Sequence, residues 1–261
     1  MPKIGIVGGS GLYQIPGLSI KEYKYLITPF GDPSDSFMIG ELSGKEIVFL
    51  SRHGVKHHIP PHKINYRANI WGFKQLGVER ILSIGAVGGI ADEIIPGMII
   101  IYDQIIDMTK NRYSTFYDGD EVIHIDFTEP YCPELRNSLF MAGENLGIKL
   151  RNTGTYVCVN GPRLETRAEI KMFLNLGIDI VGMTAMPEAV LAREAEICLA
   201  GVAVVTNYAA GITGKRLTTK EVIVTMEEST TIVAKLLLKT LSLIPGERGC
   251  SCKDVLKEAR I

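Results

Sequence analysis

Apolar residues fall along the chain in two kinds of pattern. KIGIVGG (3–9), EIVFLS (46–51), RILSIGAVG (80–88), MIIIYDQIID (98–107), TYVCVNG (155–161), DIVGMT (179–184) and AGVAVVTN (200–207) are short, nearly continuous runs with prominent β-branched residues. Runs of this kind predict strands covered on both faces. Between several of them, NYRANIWGFKQLG (65–77), CPELRNSLFMAGENLG (132–147), TRAEIKMFLNLG (166–177) and PEAVLAREAEI (187–197) carry helical spacing, and several end at glycine. A longer helical stretch, TTKEVIVTMEESTTIVAKLLLKTL (218–241), precedes a polar tail. Strand–helix alternation predicts an α/β fold in which helices surround a largely parallel or mixed sheet. No internal repeat, low-complexity segment or Pro/Ser-rich linker is present in the 261 residues, so one domain over 1–261 is the simplest organisation, with 242–261 as a C-terminal tail.

Composition narrows the function. A hydrophobic content of 46 % and a charged content of 22 % fit a soluble globular protein. The net charge of −1, without a clustered basic face, provides no general attraction for nucleic acid or anionic membrane. The N-terminus, MPKIGIVGGSGLY, lacks a secretory apolar region and any membrane-length segment, so a cytoplasmic location is expected.

Of the five cysteines, Cys132, Cys158 and Cys198 stand singly among apolar or turn residues and read as buried thiols. Cys250-Ser251-Cys252 could close a small disulfide ring, act as a redox switch or supply half a metal site. A structural zinc normally needs four ligands and no second pair lies nearby in sequence, so no metal is expected. A disulfide or idle thiols remain, and a disulfide would hint at a hot habitat.

Candidate chemistry collects at strand ends. GIVGGSG (5–11) follows the first run but lacks the third glycine of a dinucleotide fingerprint; it reads as a tight turn or as a phosphate cradle that includes Ser10. GITGKR (211–216) is not a working P-loop, because position 209 is Ala and Arg216 replaces the Ser/Thr that would reach magnesium; it reads as a mobile, solvated segment over the site. SRHGVKHHIPPHKINYRANIW (51–71) concentrates Arg52, His53, His57, His58 and His62: Arg52 and His53 suit an oxyanion, three histidines suit zinc, and a self-satisfied polar loop is the plain alternative. Glu165 opens a helix, where it either favours the helix dipole or accepts N–H donors from a flat heterocycle. Thr184 would cap the next helix or contact phosphate, and Met183 alone would be core filler. Asn207 serves a turn or offers its amide to a ligand at the carboxyl end of a strand.

Together, VGGSG (7–11), RHG (52–54), NYRANIW (65–71), AVGG (86–89), PGMIIIYDQIID (96–107), EPYCPELR (129–136), GPRLETRAE (161–169) and GMTAMPEAVLARE (182–194) resemble, in order and from end to end, the trimeric purine nucleoside phosphorylase and methylthioadenosine phosphorylase family. The resemblance implies a single α/β domain around a distorted mixed sheet, assembled as a homotrimer or as a homohexamer, a dimer of trimers. The implied reaction is reversible phosphorolysis of a purine nucleoside to free purine and pentose 1-phosphate. Inorganic phosphate is a co-substrate, and no metal or organic cofactor is implied.

By the same resemblance, phosphate is held by Ser10, Arg52, His53, the backbone near Ala86 and Thr184. Gly85 stands where many relatives have Thr or Asn and supplies no side-chain contact. Met183 lies along the ribose, while His57 and His124 surround the 5′ substituent, His124 reaching from a neighbouring subunit. Leu164, Ala209 and Thr219 complete the nucleoside site, with Asn207, Glu165 and His53 as the catalytic groups.

Relatives acting on 6-aminopurines carry Asp at the positions of Asn207 and Ala209, whereas 6-oxopurine enzymes pair an Asn with a Glu at the position of Glu165. Hypoxanthine and guanine are therefore the expected bases. Thr219 matches a His of inosine-cleaving relatives and an apolar residue of methylthio-nucleoside enzymes, which leaves the 5′ group open. Phosphorolysis of methylthioinosine or methylthioadenosine is the alternative, and a non-catalytic purine-binding protein is the reading from another class.

Overall fold

The computed structural model describes residues 3–9, 12, 15–214 and 218–260. Its first half comprises β1 (Lys3–Gly8), β2 (Ser19–Lys24), β3 (Phe37–Leu42), β4 (Lys45–Ser51), α1 (Tyr66–Gln75), β5 (Val78–Gly89), β6 (Ile99–Ile100) and β7 (Gln104–Met108). Then follow α2 (Pro133–Leu146), β8 (Leu150–Arg151), β9 (Thr155–Val159), α3 (Arg167–Asn175), β10 (Ile180–Gly182), α4 (Ala185–Glu194), β11 (Cys198–Tyr208) and α5 (Thr219–Leu243). The described strands form one mixed sheet of eleven strands, as the alternation of runs and helical periods predicts.

The apolar run at 98–107 departs from expectation by dividing in two. Ile99 and Ile100 pair with β11 and β8, whereas Gln104–Met108 pair with β9. Between them the Asp103 carboxylate accepts the Gly154 N–H at 2.8 Å, so the chain crosses from one part of the sheet to another. Strand β2 escapes the apolar pattern for a different reason. Its side chains are all exposed, and backbone pairing with β3 defines it.

Side-chain alternation divides the core between the two faces of the sheet. Ile81 of β5 and Ala203 of β11 pack with Tyr66, Ile70 and Phe73 of α1 and Leu191 of α4. Their neighbours Leu82 and Val204 pack on the other side with Leu135 and Leu139 of α2 and Leu236, Leu237 and Leu241 of α5. Each fully buried Leu, Ile or Phe contributes roughly 1.5–3 kcal/mol, so these central strands are the stable frame. Local signals set the helix starts. Asn65 Oδ1 accepts Ala68 N–H ahead of α1, and Thr166 and Glu169 form a reciprocal capping box on α3.

The tail does not stand apart as a polar extension. Ile244 and Cys252 are buried in the core beneath α2 and α5, and Ala259 is also buried.

Strands β1, β4, β5 and β11 run parallel, which brings their carboxyl ends to one edge. Strand β10 enters antiparallel to β5 and delivers the residues after Gly182 to the same place. That convergence positions the site.

Candidate active site

A cavity of about 900 Å³ opens at this edge. At one end it meets Gly9, Arg52, His53, Ala86 and Thr184. Arg52 follows β4 directly and is 1 % exposed. Its Nε and Nη2 donate to the two Glu188 oxygens at 2.8 and 3.0 Å, a second Nη2 hydrogen goes to Ser83 Oγ at 2.7 Å, and Nη1 donates to Ile84 O at 3.1 Å. Ser83 Oγ in turn donates to Glu188 Oε1. A guanidinium has five N–H donors, so one hydrogen, on Nη1, remains for a ligand.

The bidentate face of Arg52 is therefore directed at Glu188 and not into the cavity. Glu188, with its side chain 3 % exposed, neutralises the guanidinium and takes its bidentate face. Gly9 allows the close approach, because a Cβ there would stand 2.8 Å from Ile84 O and 3.0 Å from Arg52 Nη1.

His53 also differs from a simple cationic donor. Its Nδ1 lies 2.8 Å from Ile59 O, an acceptor only, so Nδ1 carries the hydrogen and Nε2 keeps its lone pair in the neutral ring. Burial lowers its pKa to about 4, which keeps the imidazole neutral at pH 7. His57 packs over it with ring centroids 4.5 Å apart. Thr184 precedes α4 without a capping bond, so the cap reading does not apply. A Cβ on Gly85 would come within 3.7 Å of Thr184 Oγ1; Gly85 leaves that space to the threonine.

The lining further includes Leu164, Glu165, Met183 and Asn207, with His57 beside His53. Between Val205 and Asn207 the pairing of β11 with β5 shifts by one residue, so that Val205 faces Val87 and Asn207 faces Gly88. Such a bulge re-aims side chains beside a site. Asn207 Oδ1 accepts from Thr206 Oγ1 at 2.9 Å, and Nδ2 donates to Tyr208 O at 2.9 Å. A flipped amide would set its oxygen against the Tyr208 carbonyl, so the network fixes Nδ2 as donor with one hydrogen to spare.

Arg163 makes paired bonds to Glu169 at 2.9 and 2.7 Å rather than neutralising Glu165. Burial raises the Glu165 pKa above the ordinary carboxylate value. The loop carrying Met183 is held by Arg112, which donates to Met183 O at 2.8 Å and to Asn160 O at 2.8 Å. Val222, Ile223, Met226 and Glu227 of α5 complete the wall.

Two expected residues stand off this cavity. Ala209 is 2 % exposed and packs with Ile90, Val157, Ile170 and Phe173, because its N–H is drawn to Gly89 O at 2.8 Å. The exposed His124 bonds through its backbone to Ala259 O at 2.8 Å and does not reach the cavity of its own chain. Ser10, the Thr219 side chain, and Lys215 and Arg216 of the GITGKR segment lie outside the described residues.

Sequence reasoning did not assign Glu188, Ser83, Arg112 or the α5 wall to the site. A charged pair as buried as Arg52 and Glu188 leaves no local pattern, since 136 positions separate its members. Val222, Ile223 and Met226 did have a signal: their apolar spacing marks a helix face that must be covered.

The cysteines require another correction. Cys132 precedes α2, Cys198 opens β11, and Cys250 and Cys252 flank Ser251 in the tail. Their four sulfurs all lie within 4.8 Å of one another, so Cys132 and Cys198 are not isolated and Cys250-Ser251-Cys252 does have a second pair beside it. All five cysteines are free thiols, and only Cys158 is as solitary as expected. Among the described residues, no three histidines form a metal-binding group.

A family model described as the phosphorylase superfamily matches residues 3–242. The chain is 53 % identical to a 6-oxopurine nucleoside phosphorylase of Pyrococcus furiosus, with 99 % of both chains covered. It is 54 % identical to a probable S-methyl-5′-thioinosine phosphorylase of Thermodesulfovibrio yellowstonii over 98 % of this chain and 97 % of the relative. The solved structure of methylthioadenosine phosphorylase from Schistosoma mansoni in complex with adenine superposes with a TM-score of 0.95 at 32 % identity, covering 100 % of this chain and 99 % of the other.

Proposed function

The chain belongs to the phosphorylase superfamily, and from that membership we propose that its cavity holds a 6-oxopurine nucleoside, inosine or guanosine, beside inorganic phosphate. The protein is a purine nucleoside phosphorylase. The observation that carries the choice of base is the Asn207 amide, fixed as a donor, on the same cavity as Glu165.

Cleavage of the glycosidic bond gives the sugar cationic character and leaves negative charge on the purine. The spare Nδ2 hydrogen of Asn207 donates to N7 and stabilises that charge where it develops. Ionised Glu165 accepts N1–H of hypoxanthine or guanine. Adenine presents a lone pair at N1, and two facing acceptors disfavour it by on the order of 10⁴.

Phosphate approaches the opposite face of the sugar and forms the bond to C1′ as the purine departs. It is oriented by the remaining Arg52 hydrogen, Thr184 and the backbone near Ala86, and, by the family resemblance, by Ser10. Neutral His53 accepts a hydrogen bond from a protonated phosphate oxygen through Nε2. No covalent intermediate with the protein is required, because holding phosphate and sugar in line supplies the rate.

Methylthioinosine is the second reading, favoured by the relative of that name and by the apolar Val222, Ile223 and Met226 on the cavity wall. A homotrimer or homohexamer accounts for His124, which a neighbouring copy would bring to the 5′ end. The 70 % exposure of Tyr113 and 52 % exposure of Val122 support such a contact. A cytoplasmic location fits this reaction, and no described helix is long and apolar enough to cross a membrane.

The test is base release from inosine, guanosine, adenosine, methylthioinosine and methylthioadenosine, each with and without phosphate. Phosphate-dependent cleavage of inosine and guanosine is expected. Preference for methylthioinosine would move the assignment to the second reading, and efficient cleavage of adenosine or methylthioadenosine would overturn the roles of Glu165 and Asn207.

A further inference from the structure

The four clustered cysteines lie at the end of β11 remote from the nucleoside cavity. Cys198 opens the strand and Asn207 nearly closes it, a separation of about 30 Å at the extended-strand rise. Phosphorolysis makes no use of these thiols. Three separate segments supply them, and contacts not involving sulfur hold those segments together. Cys132 N–H donates to Leu199 O at 2.8 Å, Gly249 N–H donates to Glu134 Oε2 at 2.8 Å, and Arg248 Nη1 donates to Glu196 O at 2.7 Å.

The sulfur spacing suits one metal ion. Zinc binds thiolates at about 2.3 Å in a tetrahedron, which requires sulfur–sulfur edges of about 3.8 Å. Here all four sulfurs lie within 4.8 Å, with Cys198 and Cys250 at 3.3 Å, so small side-chain rotations bring them to that geometry.

Charge around the group provides a separate argument. Arg193 Nη1 donates to Cys252 Sγ at 3.5 Å. Arg80 is the ladder partner of Cys198, so its side chain leaves the same face of the sheet. It is 0 % exposed, and none of its three guanidinium nitrogens has a hydrogen-bond partner among the described residues. Its nearest carboxylates, Glu79 and Glu134, stand at 3.6 Å. These two carboxylates balance its charge from beyond hydrogen-bond reach, and buried N–H groups without an acceptor are costly. Zinc bound by four thiolates carries two net negative charges, which the two arginines complement.

We propose that Cys132, Cys198, Cys250 and Cys252 form a tetrathiolate zinc site that fastens the C-terminal tail to the starts of α2 and β11. Binding exchanges four thiol protons for one Zn²⁺, and no electron transfer is involved. The centre is structural, since four protein ligands leave no open coordination position.

The experiment uses the full chain, purified without chelator or added metal. Zinc is measured by elemental mass spectrometry and by its release on titration with an organomercurial. About one zinc per chain is expected. Replacement of both Cys250 and Cys252 by Ser should abolish bound zinc and hasten thermal inactivation while leaving turnover at moderate temperature unchanged. The separate variant Cys158→Ser, outside the cluster, should retain its zinc. Wild-type protein that lacks zinc overturns the proposal, whether its thiols prove alkylatable after denaturation or are joined as two disulfides. Zinc retained by the double variant overturns it as well.

Discussion

Replacement of Glu188 by Gln tests the phosphate end of the cavity, because it keeps the size of the side chain and removes the charge opposite Arg52. In the wild type, Glu188 receives two guanidinium bonds at 2.8 and 3.0 Å and the Ser83 hydroxyl, with both charged side chains at most 3 % exposed. Loss of one member of a buried pair leaves the other charge without compensation and costs about 3–5 kcal/mol. For a chain of this size that lowers the melting temperature on the order of 10 °C. The tilted guanidinium also withdraws its spare Nη1 hydrogen from phosphate. A charge-assisted bond is worth about 1.5–3 kcal/mol, so KM for phosphate should rise roughly 10- to 100-fold. Urea unfolding and phosphate-dependent kinetics read the two effects. The double variant Arg52→Met/Glu188→Leu separates them: apolar replacement of the whole pair should restore stability to within about 2 kcal/mol of wild type, whereas phosphate affinity stays lost. A Glu188→Gln variant within 1 kcal/mol of wild type (roughly the value of an ordinary hydrogen bond) and with unchanged phosphate KM would refute this account.

Asn207→Asp should erode inosine and guanosine cleavage and raise turnover of 6-aminopurine nucleosides; an unchanged preference ratio in competition assays would remove the proposed N7 contact. Glu165→Gln substitutes an amide that can donate to N1 of adenine, so it should relax base selection. Because burial raises the Glu165 pKa, selection against adenosine in the wild type should also weaken as pH falls, and a flat ratio would count against an ionised Glu165. For His53, the folded pKa of about 4 lies below the ordinary 6.5, so the unfolded chain binds a proton that the folded ring refuses. Stability should therefore fall as pH drops from about 6.5 toward about 4, by up to ~3 kcal/mol from this group. His53→Asn, whose amide nitrogen can replace Nδ1 against Ile59 O, should flatten that profile; equal slopes in urea titrations at pH 7 and 5 would deny His53 its part.

The central strands were legible because burial on both faces demands continuous apolar runs, and β1, β4, β5, β9, β10 and β11 all carry them. Strand β2 was not, since SIKEYK is exposed throughout and its pairing rests on backbone bonds to β3. The site was readable where its residues follow strands directly, as Arg52 and His53 follow β4 and Asn207 lies near the end of β11. What those groups do was less readable. Residue type offers Arg52 and His53 to an oxyanion, but it does not show that Glu188 takes the bidentate face of Arg52 or that Ile59 O claims the His53 Nδ1 hydrogen. Hydrogen-bond donors are a property of residue type, but the donors left for a ligand depend on tertiary neighbours. The same limit hid the cysteine group: spacing along the chain shows Cys250 and Cys252 as a pair and gives no indication that Cys132 and Cys198 fold against them.

Strand β11 joins the two regions where local rules are broken. At its carboxyl end the register shift, the buried Thr206 and the Asn207 amide replace regular pairing and apolar packing. A polar group that loses its bond at such a site costs about 1–3 kcal/mol, so the chain of bonds from the Thr206 hydroxyl to the Asn207 amide and on to Tyr208 O has to stay intact before substrate arrives. At the amino end Cys198 stands beside the tail, and Arg80 on the neighbouring strand is buried without a hydrogen-bond partner among the described residues. Polar groups of this kind persist only where the surrounding structure is held firmly. Between the two ends, Leu199, Ala200, Val202, Ala203, Val204 and Val205 are buried against helices on both faces. This apolar stretch lets one end carry a pre-set amide for catalysis while the other anchors the tail, and it is why cysteine variants should alter heat resistance without changing the choice of base.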